Sequence, residues 1–115
     1  MEDKENVIIK LTFQFALEII KYCETLQENK KFVIANQLLK VGTSIGANIR
    51  EAQNAESKAD FIHKLKISAK EVEETIYWLE LCKHSENYPN VDELIIQINS
   101  IAIIVNKIII TSKLR

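Results

Sequence analysis

The sequence predicts an all-α protein, an antiparallel up-down-up-down four-helix bundle in a single domain over residues 1–115. Three observations predict this fold class. Apolar residues recur at three- and four-residue steps through four long segments, which is the period of an amphipathic helix. The chain has only two glycines and one proline, too few for the turns that a β-rich fold needs at every hairpin. The breaks between the segments are short, and short connections make neighbouring helices antiparallel.

The first predicted helix covers about residues 6–28 and the second about residues 32–53, with the segment "ENKK" between them. On each helix the apolar residues follow one line, which we expect to face the core. These lines are Ile8, Phe15, Ile19, Tyr22, Cys23 and Leu26 on the first helix and Ile34, Leu38, Val41, Ile45, Ile49 and Ala52 on the second.

A capping pattern opens the third helix, because Ser57 precedes Asp60 by three residues. In this pattern the serine hydroxyl accepts a free backbone N–H while the acid reaches back to the cap. The helix continues to about residue 85. Its apolar line holds Phe61, Leu65, Ser68, Val72, Ile76 and Leu79.

The only proline, Pro89, breaks the chain, and Asn90 with Glu93 repeats the capping pattern for a fourth helix. The stretch "LIIQINSIAIIVNKIII" is strongly apolar, but polar residues interrupt it well short of the roughly 18 apolar residues that a membrane span needs. We therefore expect a helix buried in a soluble bundle and no membrane partner. Its core line is Leu94, Ile98, Ile101, Val105 and Ile109.

The last two helices carry a second apolar face. On the fourth helix three isoleucines recur at seven-residue spacing opposite the core line, and the third helix has a similar set. A helix that is apolar on two faces is buried on two faces, and a seven-residue repeat is typical of helices packed side by side. Isolated apolar residues on a surface are the simpler alternative. We expect a homo-oligomer interface at Ile67, Tyr77, Trp78, Leu81, Ile96, Ile103 and Ile110.

Both glycines of the chain, Gly42 and Gly46, lie four residues apart inside the second helix. Each costs a helix interior roughly 1 kcal/mol relative to alanine, so we expect them to allow a close approach of two helices. A polar line of Ser44, Asn48 and Glu51 borders the same core face. Such a line is typical of a hydrogen-bonded clamp between helices, with a ligand site as the alternative.

Charge and cysteine content narrow the class of partner and the compartment. The net charge is −1, from 15 basic and 16 acidic residues spread along the chain, which disfavours strong nonspecific nucleic-acid binding. Cys23 and Cys82 fall within apolar helical patterns, and no signal peptide precedes them. We expect reduced thiols in a cytoplasm.

No catalytic, cofactor-binding or metal site is predicted. A di-iron bundle needs two Glu-x-x-His pairs and two further inward carboxylates, whereas this chain offers Asp60 with His63, and Glu80 with His84 four residues apart. A cysteine nucleophile needs a histidine base nearby. A small metal-dependent bundle enzyme therefore stays the less favoured hypothesis.

The segments "SIGANIREA", "SKADFIHKL" and "EVEETIYWLELC" resemble the small four-helix bundle proteins encoded in intervening sequences of bacterial 23S ribosomal RNA genes. That family is similar to the accessory variability proteins of diversity-generating retroelements. The resemblance implies a homopentameric ring. The retroelement relatives, to which this family is similar, are basic proteins that bind nucleic acid and a reverse transcriptase.

We therefore expect a non-enzymatic oligomeric scaffold, without a cofactor, that binds a nucleic-acid or protein partner weakly. Lys113 and Arg115 are the expected nucleic-acid contacts, because a ring would repeat this small basic patch around one rim. An accessory subunit of a retroelement reverse transcriptase is the alternative function.

Overall fold

The computed structural model describes residues 4–115, with side chains from residue 7 onward. This part of the chain forms four α-helices and contains no β-strand: α1 Lys4–Glu28, α2 Phe32–Ala52, α3 Lys58–His84 and α4 Asp92–Leu114. The predicted all-α class with four helices is confirmed, and the bounds of α1 to α3 lie within two residues of those expected. The proposed single domain begins at residues 1–3, which lie outside the described residues.

Each helix packs against two neighbours, in the order α1–α2–α3–α4 and back to α1. No Cα atom of α1 lies within 8 Å of a Cα atom of α3, and the same holds for α2 and α4. The described chain measures 47 × 23 × 22 Å. Side chains that point inward from diagonal helices therefore meet along one central core.

The core consists largely of the predicted apolar lines. All the predicted core residues of α1 and α4 are buried. On α2 and α3, Ile34, Phe61 and Ile76 are only half-buried and pack against the rim of the core. The core also takes in Ala35, Cys82, Val91 and Ile108, which lie beside the predicted lines.

The hydroxyl side chains of Thr12, Ser68 and Thr75 are almost fully buried in this apolar interior. The Thr12 hydroxyl donates to the backbone carbonyl of Ile8 at 2.8 Å, and the Thr75 hydroxyl donates to the backbone carbonyl of Glu71 at 2.7 Å. Each acceptor lies one turn back in the same helix. Ser68 instead donates to a carbonyl of the neighbouring α2 at 3.1 Å. No buried side-chain nitrogen or oxygen in the described residues lacks a partner. Burial of these hydroxyls therefore leaves no unpaired polar group, which would otherwise cost about 1–3 kcal/mol.

The two predicted helix caps differ in outcome. Ser57 accepts the backbone N–H of Asp60 at 3.0 Å, as expected for the start of α3. The Asp60 carboxylate reaches the N–H of Glu56, one residue before the cap. At α4 the predicted cap is wrong by one residue: the N-cap position is Val91, and Asn90 accepts the N–H of Asp92 at 2.8 Å in a local turn.

By length and composition alone, α4 is the one described helix that could cross a membrane. In the bundle its core line is buried between α1 and α3. This packing buries the core line together with Ile108, whereas Ile96, Ile103, Ile110 and Leu114 remain exposed on the outer surface.

Candidate interaction surfaces

The outer side of α4 presents a straight line of apolar residues. Ile96, Ile103 and Ile110 are 60%, 56% and 60% exposed, and Leu114 continues the line at 82%. We call these four residues the α4 ridge. They lie opposite the buried core line, so the helix is apolar on two faces, as the sequence predicts. An exposed run of large aliphatic side chains is typical of a surface that another molecule covers.

The α3 residues predicted for the same interface are less exposed than those of α4. Tyr77 is 57% exposed, whereas Ile67, Trp78 and Leu81 are half-buried by the bundle itself. Trp78 packs against the core, and its indole N–H donates to Glu74 at 3.0 Å. Tyr77 stacks edge to face on Trp78, with ring centroids 5.4 Å apart. Of this set, Tyr77 contributes most to the outer surface.

The two glycines lie where α2 approaches α1. A Cβ added at Gly42 would come within 3.0 Å of the Ile19 side chain, and one added at Gly46 within 3.1 Å of the Thr12 hydroxyl. Real Cβ atoms rarely come this close to a neighbour. The missing side chains therefore let the two helices pack at short distance.

Above Gly46, α1 and α2 enclose a shallow groove of about 180 Å³, which we call the α1–α2 groove. Its lining includes the small residues Ala16, Gly46 and Ala47. The Arg50 guanidinium lies 5.2 Å from the centre of the Phe13 ring, and both residues also line the groove. Exposed Leu17 and Ile20 continue the apolar surface along α1. The lining residues are Ile9, Thr12, Phe13, Ala16, Thr43, Gly46, Ala47 and Arg50.

Sequence reasoning did not single out this groove. Phe13, Leu17 and Ile20 follow one another at four- and three-residue steps, which is the signal that would have marked a second face on α1. The stronger core line of the same helix masks that signal.

The polar line of α2 makes one contact to another helix. The Asn48 side-chain amide donates to the Glu71 carboxylate on α3 at 2.8 Å. Ser44 donates to the carbonyl of Lys40 in its own helix, and Glu51 is exposed. Burial raises the pKa of Glu71, which the hydrogen bond from Asn48 opposes in part. Asn48 and Glu71 thus tie α2 to α3, while the other two members of the line do not.

Both cysteines are free and buried, and they point into the core from diagonal helices. Burial, together with the nearby Cys82, raises the pKa of Cys23 to about 12, and burial also raises the pKa of Cys82. A nucleophilic cysteine needs a lowered pKa. No Cα atom of α1 lies within 8 Å of a Cα atom of α3. Cys23 and Cys82 are therefore too far apart for a disulfide, which needs a Cα separation below about 7 Å.

Tyr22 closes the core at the same end. Its hydroxyl donates to the carbonyl of Pro89 at 2.8 Å and so joins α1 to the connection between α3 and α4. Burial raises the pKa of Tyr22, and the nearby thiols of Cys82 and Cys23 add to the effect. The tyrosine acts as a neutral hydrogen-bond donor in this position.

The residues considered for a metal site do not come together. Within residues 4–115, no three His, Cys, Asp or Glu side chains are grouped so that they could hold a metal ion. Asp60 pairs with Lys64 at 3.1 Å, and this hydrogen bond lowers the pKa of Asp60. Asp60 therefore stabilises the first turn of α3.

The expected nucleic-acid contacts lie at the end of the bundle where α4 finishes. Lys113 and Arg115 are exposed there, and the Lys58 ammonium donates to the backbone carbonyl of Arg115. A wide depression of about 320 Å³ separates the two helix ends, lined in part by Phe61. The first turn of α3 thus adds a third cation to the two that the sequence analysis named.

The fold and these surfaces define a class: a small all-α protein of four helices with apolar side chains on two sides of its last helix. A family model described as 23S rRNA-intervening sequence protein matches residues 4–109, and the chain belongs to this family. The predicted family is therefore confirmed, and the match extends through most of α4.

A solved structure agrees with this assignment. It is the crystal structure of a protein of unknown function from the S23 ribosomal protein family of Bacteroides thetaiotaomicron. That chain is 41% identical to this one, and the match covers 93% of this chain and 98% of the other with a TM-score of 0.88. No curated protein matches the chain.

Proposed function

We propose that the protein is a non-enzymatic scaffold that assembles from identical subunits into a ring and binds a nucleic-acid or protein partner weakly. The α4 ridge is the observation that carries this proposal. Its three isoleucines are more than half exposed although they belong to a helix whose other face fills the core. Covering them removes apolar surface from water, which stabilises an assembly by about 25 cal/mol per Å².

The subunit of this ring is an antiparallel bundle. Gly42 lies beside Ile19, whereas Gly46, one turn further along α2, lies beside Thr12, two turns further back along α1. This order of contacts supports opposite directions for α1 and α2. Connections of three to seven residues between the helices favour the same alternation for the remaining pairs.

The family resemblance and the two thiols support the number of subunits and the compartment that we propose. The resemblance favours five copies around the ring. Cys23 and Cys82 are both reduced and buried, which is typical of a protein that folds in a reducing cytoplasm.

The partner surface of this ring is its rim, where each copy would present Lys58, Lys113 and Arg115. Several weak basic patches on one ring can raise avidity by orders of magnitude over a single patch. A net charge of −1 per chain keeps the contact weak and dependent on phosphate charge alone. A protein that docks on the ring is the alternative partner.

The assembly is tested by light scattering on the wild-type chain and on Ile103→Glu. We expect the wild type at a multiple of the 13.2 kDa chain mass and the variant at the mass of one chain. The substitution puts a charge in the middle of the ridge without touching the core, so circular dichroism should show unchanged helicity.

Val33→Glu is the matched control, because Val33 is 75% exposed and lies at the start of α2, away from the ridge. It should leave the mass unchanged. A wild-type chain that stays at the mass of one copy at micromolar concentration would refute the proposed scaffold. An Ile103→Glu variant with undiminished mass would remove the ridge from the interface.

A further inference from the structure

We propose that the depression between the start of α3 and the end of α4 binds an unpaired nucleotide, with its base against Phe61 and its phosphate against Lys58 and Arg115. We call this depression the α3–α4 pocket; its described lining is Lys58, Phe61, Ser112 and Arg115. The inference rests on the nucleic-acid side of the proposed function and goes beyond the phosphate contact named there. It assigns one class of ligand to the pocket, a nucleoside phosphate whose base is not paired.

Ser112 distinguishes the α3–α4 pocket from an ordinary surface hollow. The residue is only 8% exposed, and it lines the pocket. The other three buried hydroxyls of the described residues, those of Thr12, Ser68 and Thr75, each donate to a backbone carbonyl. Within residues 4–115 the Ser112 hydroxyl makes no hydrogen bond. Buried polar groups are rarely left in this state, so a ligand in the pocket would supply the partner.

The Ser112 oxygen opens onto the pocket. Every fully enclosed side-chain oxygen in the described residues has a hydrogen-bond partner. The unpaired Ser112 oxygen therefore belongs to the small part of the residue that solvent reaches, at the pocket wall. Because a hydroxyl both donates and accepts, it can bond either a phosphate or a ribose oxygen.

Each of the two helices brings one cation to the pocket. Lys58 is the first residue of α3, and Arg115 directly follows α4. The Lys58 ammonium donates to the backbone carbonyl of Arg115, so it covers part of the negative end of α4 and keeps further N–H donors for a ligand. The guanidinium of Arg115 can bind a phosphate through two parallel hydrogen bonds. Asp60, in the same turn of α3, has its charge balanced by Lys64 at 3.1 Å. The pocket therefore favours an anion with several oxygens.

Phe61 supplies the aromatic part of the site. It lines the pocket, is half-buried and packs against the core. The core thus holds the ring in place before a ligand arrives. Aromatic rings beside cations are typical of sites for unpaired bases, because every base has a π-face on which a ring can stack. A simple phosphate ion would gain nothing from the ring.

The size of the pocket suits one base and its attached sugar phosphate. Its volume of about 320 Å³ is roughly twice the 150 Å³ that accommodates benzene, and it lies at the small end of the range for ligand pockets. In a duplex the bases are paired and stacked, so only phosphate and sugar could reach Lys58 and Arg115. Contact with Phe61 therefore distinguishes a single strand from a double strand.

Fluorescence anisotropy at low salt tests the inference with a short labelled RNA strand, alone and annealed to its complement. We expect the single strand to bind about tenfold more tightly, since stacking of one base on an aromatic ring contributes about that much. Unlabelled AMP should displace the single strand, whereas adenosine or inorganic phosphate at the same concentration should not. Displacement by AMP at the dissociation constant of the strand would identify a free nucleotide as the ligand, and displacement only far above it would identify the strand.

Two variants probe the pocket itself. Phe61→Leu keeps an apolar side chain against the core but removes the ring, so it should lower single-strand affinity about tenfold and leave duplex affinity unchanged. Ser112→Ala removes only the hydroxyl and should lower single-strand affinity about two- to tenfold. Circular dichroism should show wild-type helicity for both.

Each variant has a matched control. Phe32→Leu makes the same change at an exposed position at the start of α2, one helix length from the pocket. Ser100→Ala removes an exposed hydroxyl of α4 that donates within its own helix. Both controls should bind the single strand as the wild type does.

Several results would overturn the nucleotide site. Equal affinity for single and double strands, or wild-type binding by Phe61→Leu or Ser112→Ala, would remove it and leave the phosphate contact of the rim standing. Inorganic phosphate that displaces the strand as well as AMP does would show an anion site without recognition of a base. If no strand binds even at low salt, the nucleic-acid side of the proposed function fails, and the nucleotide site fails with it.

Discussion

Substitution of Gly46 by leucine should destabilise the bundle although it improves helix propensity. Propensity alone would add about 1 kcal/mol of stability. The first carbon of the new side chain, however, would lie 3.1 Å from the Thr12 hydroxyl and 3.3 Å from its Cβ, and three more carbons follow. Overpacking at a rigid contact costs about 1–3 kcal/mol. Because Thr12 is fixed by its hydrogen bond to Ile8, we place the cost near the upper end and expect a net loss of about 1–2 kcal/mol.

Urea denaturation followed by circular dichroism, at one fixed chain concentration, measures this loss. Lys40→Leu is the matched control: it adds the same side chain at an exposed position of α2 and should change the free energy of unfolding by less than about 0.5 kcal/mol. Thr12→Ala removes the nearest atom, so the double variant should recover at least about 0.5 kcal/mol relative to additivity. A Gly46→Leu protein as stable as the wild type, or a strictly additive double variant, would refute the close-approach explanation.

Three further predictions concern titration, reactivity and partner binding. Since burial raises the pKa of Glu71, protonation of Glu71 favours the folded state. The free energy of unfolding of the wild type, relative to that of Glu71→Gln, should therefore rise as the pH falls from 7 towards 4.5. A difference between the two proteins that does not depend on pH would contradict this. Cys23 and Cys82, buried with raised pKa values, should react with iodoacetamide at pH 8 only after unfolding; rapid labelling of the native protein would show an accessible thiolate. RNA or DNA binding in filter assays should be weak, indifferent to sequence and lost between low and physiological salt. Binding at low salt should fall further in the Lys113→Glu, Arg115→Glu double variant. Binding that survives physiological salt would indicate a specific site.

The sequence was sufficient for the helices because the apolar period is a property of consecutive residues. Ile8, Phe15 and Ile19 recur at helical spacing whether or not the rest of the chain is known, and their burial follows from that line. The Ser57 cap is local in the same sense, since donor and acceptor lie three residues apart. At Asn90 the local rule is wrong, because the Asn90 side chain accepts the backbone N–H of Asp92, whereas the capping pattern pairs Asn90 with Glu93.

The candidate surfaces depended on information that periodicity does not carry. The angle of Trp78 around α3 predicts an outer position, yet its side chain packs against the core. Thr12 and Thr75 are not among the predicted core residues, yet each is buried and donates its hydroxyl within its own helix. The α1–α2 groove is a property of two helices packed together, so its depth follows from a distance between Gly46 and α1 that a single sequence does not specify.

The hydrogen bond from Tyr22 to Pro89 bears on the order in which the helices dock while the chain is being synthesised. It joins residues 67 positions apart and lies next to the α1–α4 contact, the one described pairing of helices that do not follow one another along the chain. On the ribosome, α1, α2 and α3 emerge before α4 and can pair in sequence, but the side of α1 that faces α4 stays in water until α4 arrives. Docking of α4 is therefore the step with the greatest sequence separation and the slowest loop closure. A nascent chain paused before residue 92 would display an open apolar trough, which is the kind of surface that chaperones bind.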